Sequence, residues 1–261
     1  MKRWFGILGL VAAAAALTAC GGSDDDDSLP SAQTLCSSAG ATAKVYNGAS
    51  CAGYSGTPVV FLAIVRNGSY YGCSGTMLTP TRVLTAAHCV EGAERMAVAK
   101  FGSDSLDDAT GVLATAWKSH PSYARSSTGI NYDAAVVYLS AAMPNPTMGV
   151  LKSAEASVGQ SVYIAGWGQP DGELVVGAAK LGIVTSTHLG YKYDGGLSNT
   201  CQGDSGGPLY RVVDGRPGVM GITSSGTAQN CGDNETSLYT NAQNASILAF
   251  IQENAPGMAV Y

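Results

Sequence analysis

A serine hydroxyl is a weak nucleophile until a neighbouring base takes its proton. Ser205 stands in Cys201-Gln202-Gly203-Asp204-Ser205-Gly206-Gly207-Pro208-Leu209, where glycines on either side leave backbone amides open to a substrate oxygen. Such a stretch calls for a histidine and an acid elsewhere. Thr85-Ala86-Ala87-His88-Cys89 offers His88 on a short turn after an apolar strand, and Asn131-Tyr132-Asp133-Ala134-Ala135-Val136-Val137 offers Asp133 at the mouth of a buried strand. The chemistry implied is acyl transfer, with Ser205 as nucleophile, His88 as base and Asp133 as the group that orients the base.

The order His, Asp, Ser excludes one rival at once. Gly203-Asp204-Ser205-Gly206-Gly207 fits the G-x-S-x-G turn of α/β-hydrolases, which place their histidine after the serine. The three histidines, His88, His120 and His188, all precede Ser205. Histidines and cysteines show neither H-E-x-x-H nor paired C-x-x-C spacing, so no metal centre or other cofactor is expected.

Strands must position these groups. With 46% apolar residues in 261, the chain can bury a sizeable core, and 34 glycines with few long helical periodicities favour an all-β protein. Thr57 to Val65 reads as one strand, and Cys73 to Leu78 with Arg82 to Thr85 as a strand pair. Ile247, Leu248, Phe250 and Ile251 place one amphipathic helix between Asn241 and about Asn254. The formal charge of −5 is not a basic footprint, so nucleic acid is not an expected partner.

The three motifs together resemble the chymotrypsin/trypsin family of serine endopeptidases, whose triad chemistry has been worked out in detail. The resemblance implies two six-stranded antiparallel barrels with a C-terminal helix, a crossing between them near residues 142–158, and a monomer acting on protein or peptide substrates. It implies an oxyanion hole from the N–H groups of Gly203 and Ser205, a substrate strand at Ser224, and Ser224 as a second donor to Asp133. It puts Asn199 at the base of the specificity pocket with Gly226 and Ser237 on its walls. No carboxylate stands where trypsin-like members bind arginine or lysine, so neutral side chains are expected, unless Glu235 reaches the pocket from its flanking loop. The implied disulfides are Cys73–Cys89, Cys201–Cys231 and Cys36–Cys51. Trp167 is expected in the core, His120 without a chemical role and His188 at the surface. The other reading is a surface binding or adhesion protein that keeps the triad with little turnover.

Residues 1–19 read as an export signal: Lys2 and Arg3 precede an apolar run from Ile7 to Leu17 that is short for a membrane span. Leu17-Thr18-Ala19-Cys20 resembles a bacterial lipobox, which implies a lipid on Cys20 and, with Gly21 next, an exported lipoprotein of the outer membrane. The alternative is an ordinary signal peptide with Cys20 as a spare thiol. Parity favours the lipid, because seven cysteines minus Cys20 leave six that can pair. Removing Lys2 and Arg3 takes the formal charge from −5 to −7. Residues 20–44 read as a polar tether or prosegment, with Asp24 to Asp27 as a solvated spacer, and residues 45–261 as the protease domain. Lys44-Val45 resembles the family's activation site. Cleavage there would free a Val45 amino group for Asp204, and a pocket without an anion would leave the cut to another protease. The alternative is a linker lysine of no consequence.

Overall fold

Runs of β-branched and aromatic residues, broken by glycine-bearing turns, form strands through most of the chain. The computed structural model describes residues 32–39, 42–45, 49–52, 56–99, 111–127, 129–168, 173–227 and 234–261. Helix α1 (Ala32–Ser38) leads into strands β1 (Thr42–Val45) and β2 (Ala49–Ala52), then β3 (Val59–Arg66), β4 (Ser69–Thr79) and β5 (Arg82–Thr85). The one-turn helix α2 (Ala87–Val90) follows, then β6 (Arg95–Ala99), β7 (Gly111–Ser119), β8 (Ala124–Ser126), β9 (Gly129–Asn131) and β10 (Ala135–Leu139). The second half holds β11 (Ser161–Gly166), β12 (Leu174–Lys180), β13 (Ile183–Val184), β14 (His188–Lys192), β15 (Pro208–Val213), β16 (Arg216–Gly226), β17 (Thr236–Asn241) and helix α3 (Ala245–Asn254).

The first half closes into an antiparallel barrel in the order β10-β5-β4-β3-β6-β7. Closure leaves no free edge, and fully buried Leu62, Ile64, Met77, Leu84 and Met96 fill it. In the second half, β12, β11, β15, β16, β17 and β14 run in that order as the six expected strands. Among the described residues their ladder does not close. It ends at β13 on one side and continues from β12 into β2 and β1 on the other, so this half is an open nine-stranded sheet, a half-barrel beside the closed one. Its own core is built on Leu189, Tyr191, Leu209, Met220 and Tyr239. The crossing at residues 142–158 lies between β10 and β11, as expected, and buries Met143, Met148, Val150 and Leu151.

One correction concerns the segment read as a tether. Residues 32–38 are helical and the segment to 39 is packed: Leu35, Cys36 and Ala39 are buried, and the Ser38 hydroxyl meets Tyr210 Oη at 2.8 Å. Few apolar residues are needed, because i, i+1 and i+4 share one helical face and the half-barrel supplies the other surface. Strand β1 spans the expected boundary between Lys44 and Val45, with Lys44 paired to Ser50 and Val45 to Ala49 at the edge of the sheet.

Named contacts lock the two halves together. Trp167, buried as expected, donates its indole N–H to the Val59 carbonyl (3.0 Å). Tyr138 Oη donates to Asn254 Oδ1 (2.7 Å), and His188 Nε2 meets the Ile130 carbonyl (2.8 Å), so His188 is a half-buried strut rather than a free surface group. The helix α3 starts at Ala245, after a turn over Asn241–Asn244, because the Asn244 side chain accepts from Ser246 N and Ile247 N and caps it. Its expected apolar face is the one that packs: Ile247, Phe250 and Ile251 are buried.

His120 is the least expected strut. It is buried, stacks on Tyr132 with ring centroids 4.9 Å apart, meets Phe250 edge-on, and uses Nε2 toward Ser246 Oγ (3.1 Å) while Nδ1 accepts from Ser122 N (3.1 Å). Burial lowers its pKa, against a smaller opposing pull from Ser246. The folded pKa then lies below the unfolded value, so the stability it supports is complete above about 6.5 and is lost as pH falls. Denaturant midpoints should drop between pH 7.5 and 5.5, and His120→Gln should flatten that drop. An undiminished fall in the variant would assign the acid sensitivity elsewhere.

Candidate active site

The strand β5 ends at Thr85, and the chain turns at once into α2, which is too short to bury its polar ends and presents His88 at the junction of the two halves. Two devices hold that turn. A disulfide joins Cys73 on β4 to Cys89, with Cα atoms 6.3 Å apart. Arg66 donates one guanidinium nitrogen to the carbonyls of His88 and Cys89, both at 3.0 Å, while its guanidinium carbon lies 5.3 Å from the centre of the Tyr71 ring.

Asp133 enters the core through an unusual bend. Tyr132 takes a left-handed backbone (φ 51), a conformation costing a non-glycine residue on the order of 1 kcal/mol or more, and its stack on His120 holds it there. Asp133 is fully buried. Its Oδ1 accepts from His88 N (2.8 Å), and its Oδ2 from His88 Nδ1 (2.7 Å) and Ser224 Oγ (2.6 Å). Burial alone would raise its pKa, but the His88 and Ser224 donors and the His88 charge outweigh it and hold the carboxyl below the usual range. With Nδ1–H given to the carboxylate, Nε2 is left with the lone pair a base requires.

Ser205 is brought to the same place by its backbone. Its carbonyl accepts from Ser74 N (2.7 Å) and lies 3.7 Å from Cys89 Sγ, which is also 3.7 Å from His88 Nε2. Among the described residues no hydrogen bond joins Ser205 Oγ to His88 Nε2. Catalytic contacts of this kind commonly tighten when substrate binds. The loop around Ser205 needs its glycines. Gly203 has φ 96 and a Cβ there would sit 2.8 Å from Gly168 Cα; Gly206 has φ 82 and a Cβ there would overlap Thr85 Oγ1 and the Ser74 carbonyl. Among the described residues, the N–H groups of Gly203 and Ser205 have no protein acceptor.

Asp204 points the other way, into the half-barrel. Its carboxylate accepts from Gly168 N (2.9 Å) and Cys201 N (2.8 Å), and no cation pairs with it among the described residues. Burial raises its pKa, only partly offset by those two donors. Beside it is a cavity of about 30 Å³, room for roughly one water, lined by Asp204, Ser198, Asn199 and Thr200 among others.

A larger cleft, about 210 Å³, opens at Ser205 between the end of β16 and the start of β17, with Ser224, Gly226 and Ser237 along it. Two expectations change here. Asn199 lines the Asp204 cavity and not this cleft, because its Oδ1 turns back to accept from Ser237 Oγ (2.7 Å) and Thr200 N (2.9 Å). The cleft is also not free of carboxylates, since Glu235 lines it.

Cys36 and Cys201 are disulfide-bonded, and the partners expected for them, Cys51 and Cys231, fall outside the residues whose side chains are described, as does Cys20. The sequence reading missed Ser74, whose Oγ donates to the Gly203 carbonyl (2.9 Å) and accepts from Trp167 N (2.8 Å). Its place beside Cys73 was the available signal.

The comparisons agree with this geometry. The trypsin family model matches residues 45–248, which include His88, Asp133 and Ser205. Chymotrypsin-like elastase family member 1 of Macaca fascicularis is 27% identical over 217 residues, covering 72% of this chain and 81% of that protein. Brachyurin of Leptuca pugilator is 35% identical over 189 residues (62% of this chain, 78% of that protein), and a trypsin-like protease of Streptomyces glaucescens is 31% identical over 179 (59% and 65%). A match over most of the chain, on a closed six-stranded barrel beside a half-barrel, makes this chain a member of the trypsin family and a serine endopeptidase.

Proposed function

We propose that His88, Asp133 and Ser205 are the catalytic triad of this endopeptidase. The observation that carries the reading is the Asp133 carboxylate, which takes hydrogen bonds from His88 Nδ1, His88 N and Ser224 Oγ and so fixes the imidazole in one tautomer and one orientation. His88 Nε2 removes the Ser205 proton as Oγ adds to a peptide carbonyl. The imidazolium then returns that proton to the leaving amine, and an acyl-enzyme remains. Water, activated by the same nitrogen, releases the acid and restores Ser205. The tetrahedral oxyanion is held by the N–H groups of Gly203 and Ser205, each donor contributing on the order of 3 kcal/mol in the transition state.

The buried Asp204 supports an activation step. A carboxyl whose pKa is raised by burial and which, among the described residues, is met only by neutral N–H donors gains from an ammonium group, and the trypsin family match begins at Val45, the residue after Lys44. In this reading a cut between Lys44 and Val45 frees an amino group that leaves the β1 edge position and pairs with Asp204. The expected Cys36–Cys51 bond would keep the prosegment attached, and the buried face of α1 would keep it docked. A lipid on Cys20 would place the enzyme on the outer membrane.

A fluorophosphonate should label Ser205 and no other residue, and Asp133→Asn should lower kcat by about four orders of magnitude with the fold intact. Retained activity in Ser205→Ala would end the triad reading. Active protein should give two chains on reducing gels, one starting at Val45, and a single species without reductant. Full activity of an uncut chain would remove the activation step. Cys20→Ser should move the protein from the detergent phase to the aqueous phase, and unchanged partitioning would dismiss the lipid anchor.

A further inference from the structure

The phase of β17 decides what the cleft beside Ser205 can recognise. Side chains alternate along a strand, and burial alternates accordingly: Ser237 and Tyr239 are buried, while Thr236 and Leu238 are half-exposed. Glu235 precedes the strand in the same phase as Ser237 and is 8% exposed. Its backbone is pinned there, with the carbonyl accepting from Tyr193 N (2.7 Å) and Asn234 N donating to the Tyr193 carbonyl (2.8 Å). The residues lining the cleft are otherwise hydroxyls, amides, backbone and the disulfide-bonded Cys201, so Glu235 is its one ionisable side chain among the described residues.

Ser237 prepares the same region for a polar guest. Its Oγ donates to Asn199 Oδ1 and shares a 2.8 Å contact with Thr200 Oγ1, giving the cleft a hydrogen-bonding floor in place of an apolar one. Asp204 cannot supply the charge, because it lies in the separate cavity with both oxygens engaged. A long neutral side chain would gain only its own burial here. A lysine or arginine side chain would lay its methylenes along Gly226, the wall left open by a missing side chain, and bring its cation toward a carboxylate in a partly desolvated site, where charge pairing is stronger than in water.

We propose that Glu235 makes this cleft a receptor for the cationic side chain, lysine or arginine, of the residue that precedes the cleaved bond. The inference rests on the serine endopeptidase site described above and adds its substrate class. It reverses the expectation of neutral substrates that followed from Asn199. It also makes Lys44 a residue of the class the cleft receives, so that cleavage after Lys44 needs no second protease.

The test compares matched peptide substrates, lysine against its uncharged isostere norleucine, using protein whose active sites have been titrated with a fluorophosphonate. The ratio of kcat/KM, lysine over norleucine, should be at least about tenfold in the wild type and should fall close to one in Glu235→Gln. As a ratio it is independent of how much of the variant is folded. If the variant does not fold at all, inhibition of the wild type decides, with benzamidine competing and neutral benzamide not. Labelling of Ser205 with equal use of both substrates, or a ratio that survives Glu235→Gln, would overturn the inference and leave the protease reading standing. Absence of labelling would overturn both.

Discussion

A carboxylate with no access to water is the constraint around which this molecule is arranged. Asp133 sits where the barrel meets the half-barrel, and its donors come from both: His88 from the turn after β5, Ser224 from β16. Taking an ion out of water costs several kcal/mol, and stripping one partner from such a group typically costs about 3–5 kcal/mol. The two halves therefore cannot drift apart without exposing or orphaning that charge. Trp167 on Val59, Tyr138 on Asn254 and His188 on Ile130 carry smaller loads in the same direction. The hydrogen bonds that satisfy this carboxylate also hold the His88 imidazole in one orientation.

The nucleophile loop shows a complementary solution. Where Asp133 is crowded with donors, the N–H groups of Gly203 and Ser205 have no protein acceptor among the described residues, while the neighbouring groups are used: Gly206 N donates to the Thr223 carbonyl, Gly207 N to the Asp204 carbonyl, and Ser74 clamps the Gly203 and Ser205 carbonyls. Backbone polar groups away from water are almost always paired. Two left open so near each other are what the proposed oxyanion site requires.

Much of this was legible in the sequence because the signal lay in residue type and order. Ser205 among glycines, His88 before Cys89 and Asp133 before a β-branched run each state a local chemistry, and their order excluded a different hydrolase. The α3 face was readable from its periodicity, and the Cys73–Cys89 bond and the buried Trp167 only through the resemblance of their motifs to the family. The rest depended on surfaces that local sequence does not contain. Leu35, Cys36 and Ala39 are too few to predict order, and the helix that buries them is also held by a residue far along the chain, Tyr210, which meets Ser38. His120 looked idle because its partners, Tyr132, Ser246 and Phe250, are distant in sequence or lack any motif. Glu235 in the cleft follows from strand phase, which had to be observed. Nor could the sequence show that the half-barrel continues into β2 and β1, or that its ladder does not close among the described residues.

The residues after β17 carry a consequence in time. The helix α3 supplies Ser246 to His120 and Asn254 to Tyr138, both on the barrel, and residues 259–261 pair with the crossing through Val150, Lys152 and Ser153. All of these residues follow the barrel in the chain. The barrel, with His88 and Asp133, is synthesised well before them, yet Tyr132, whose bend delivers Asp133, rests on a histidine that Phe250 and Ser246 hold in place. The site is thus assembled late in synthesis, and a chain cut short before α3 is a poor hydrolase for the same reason that it is a poor fold. That order of events is a safeguard written into the packing.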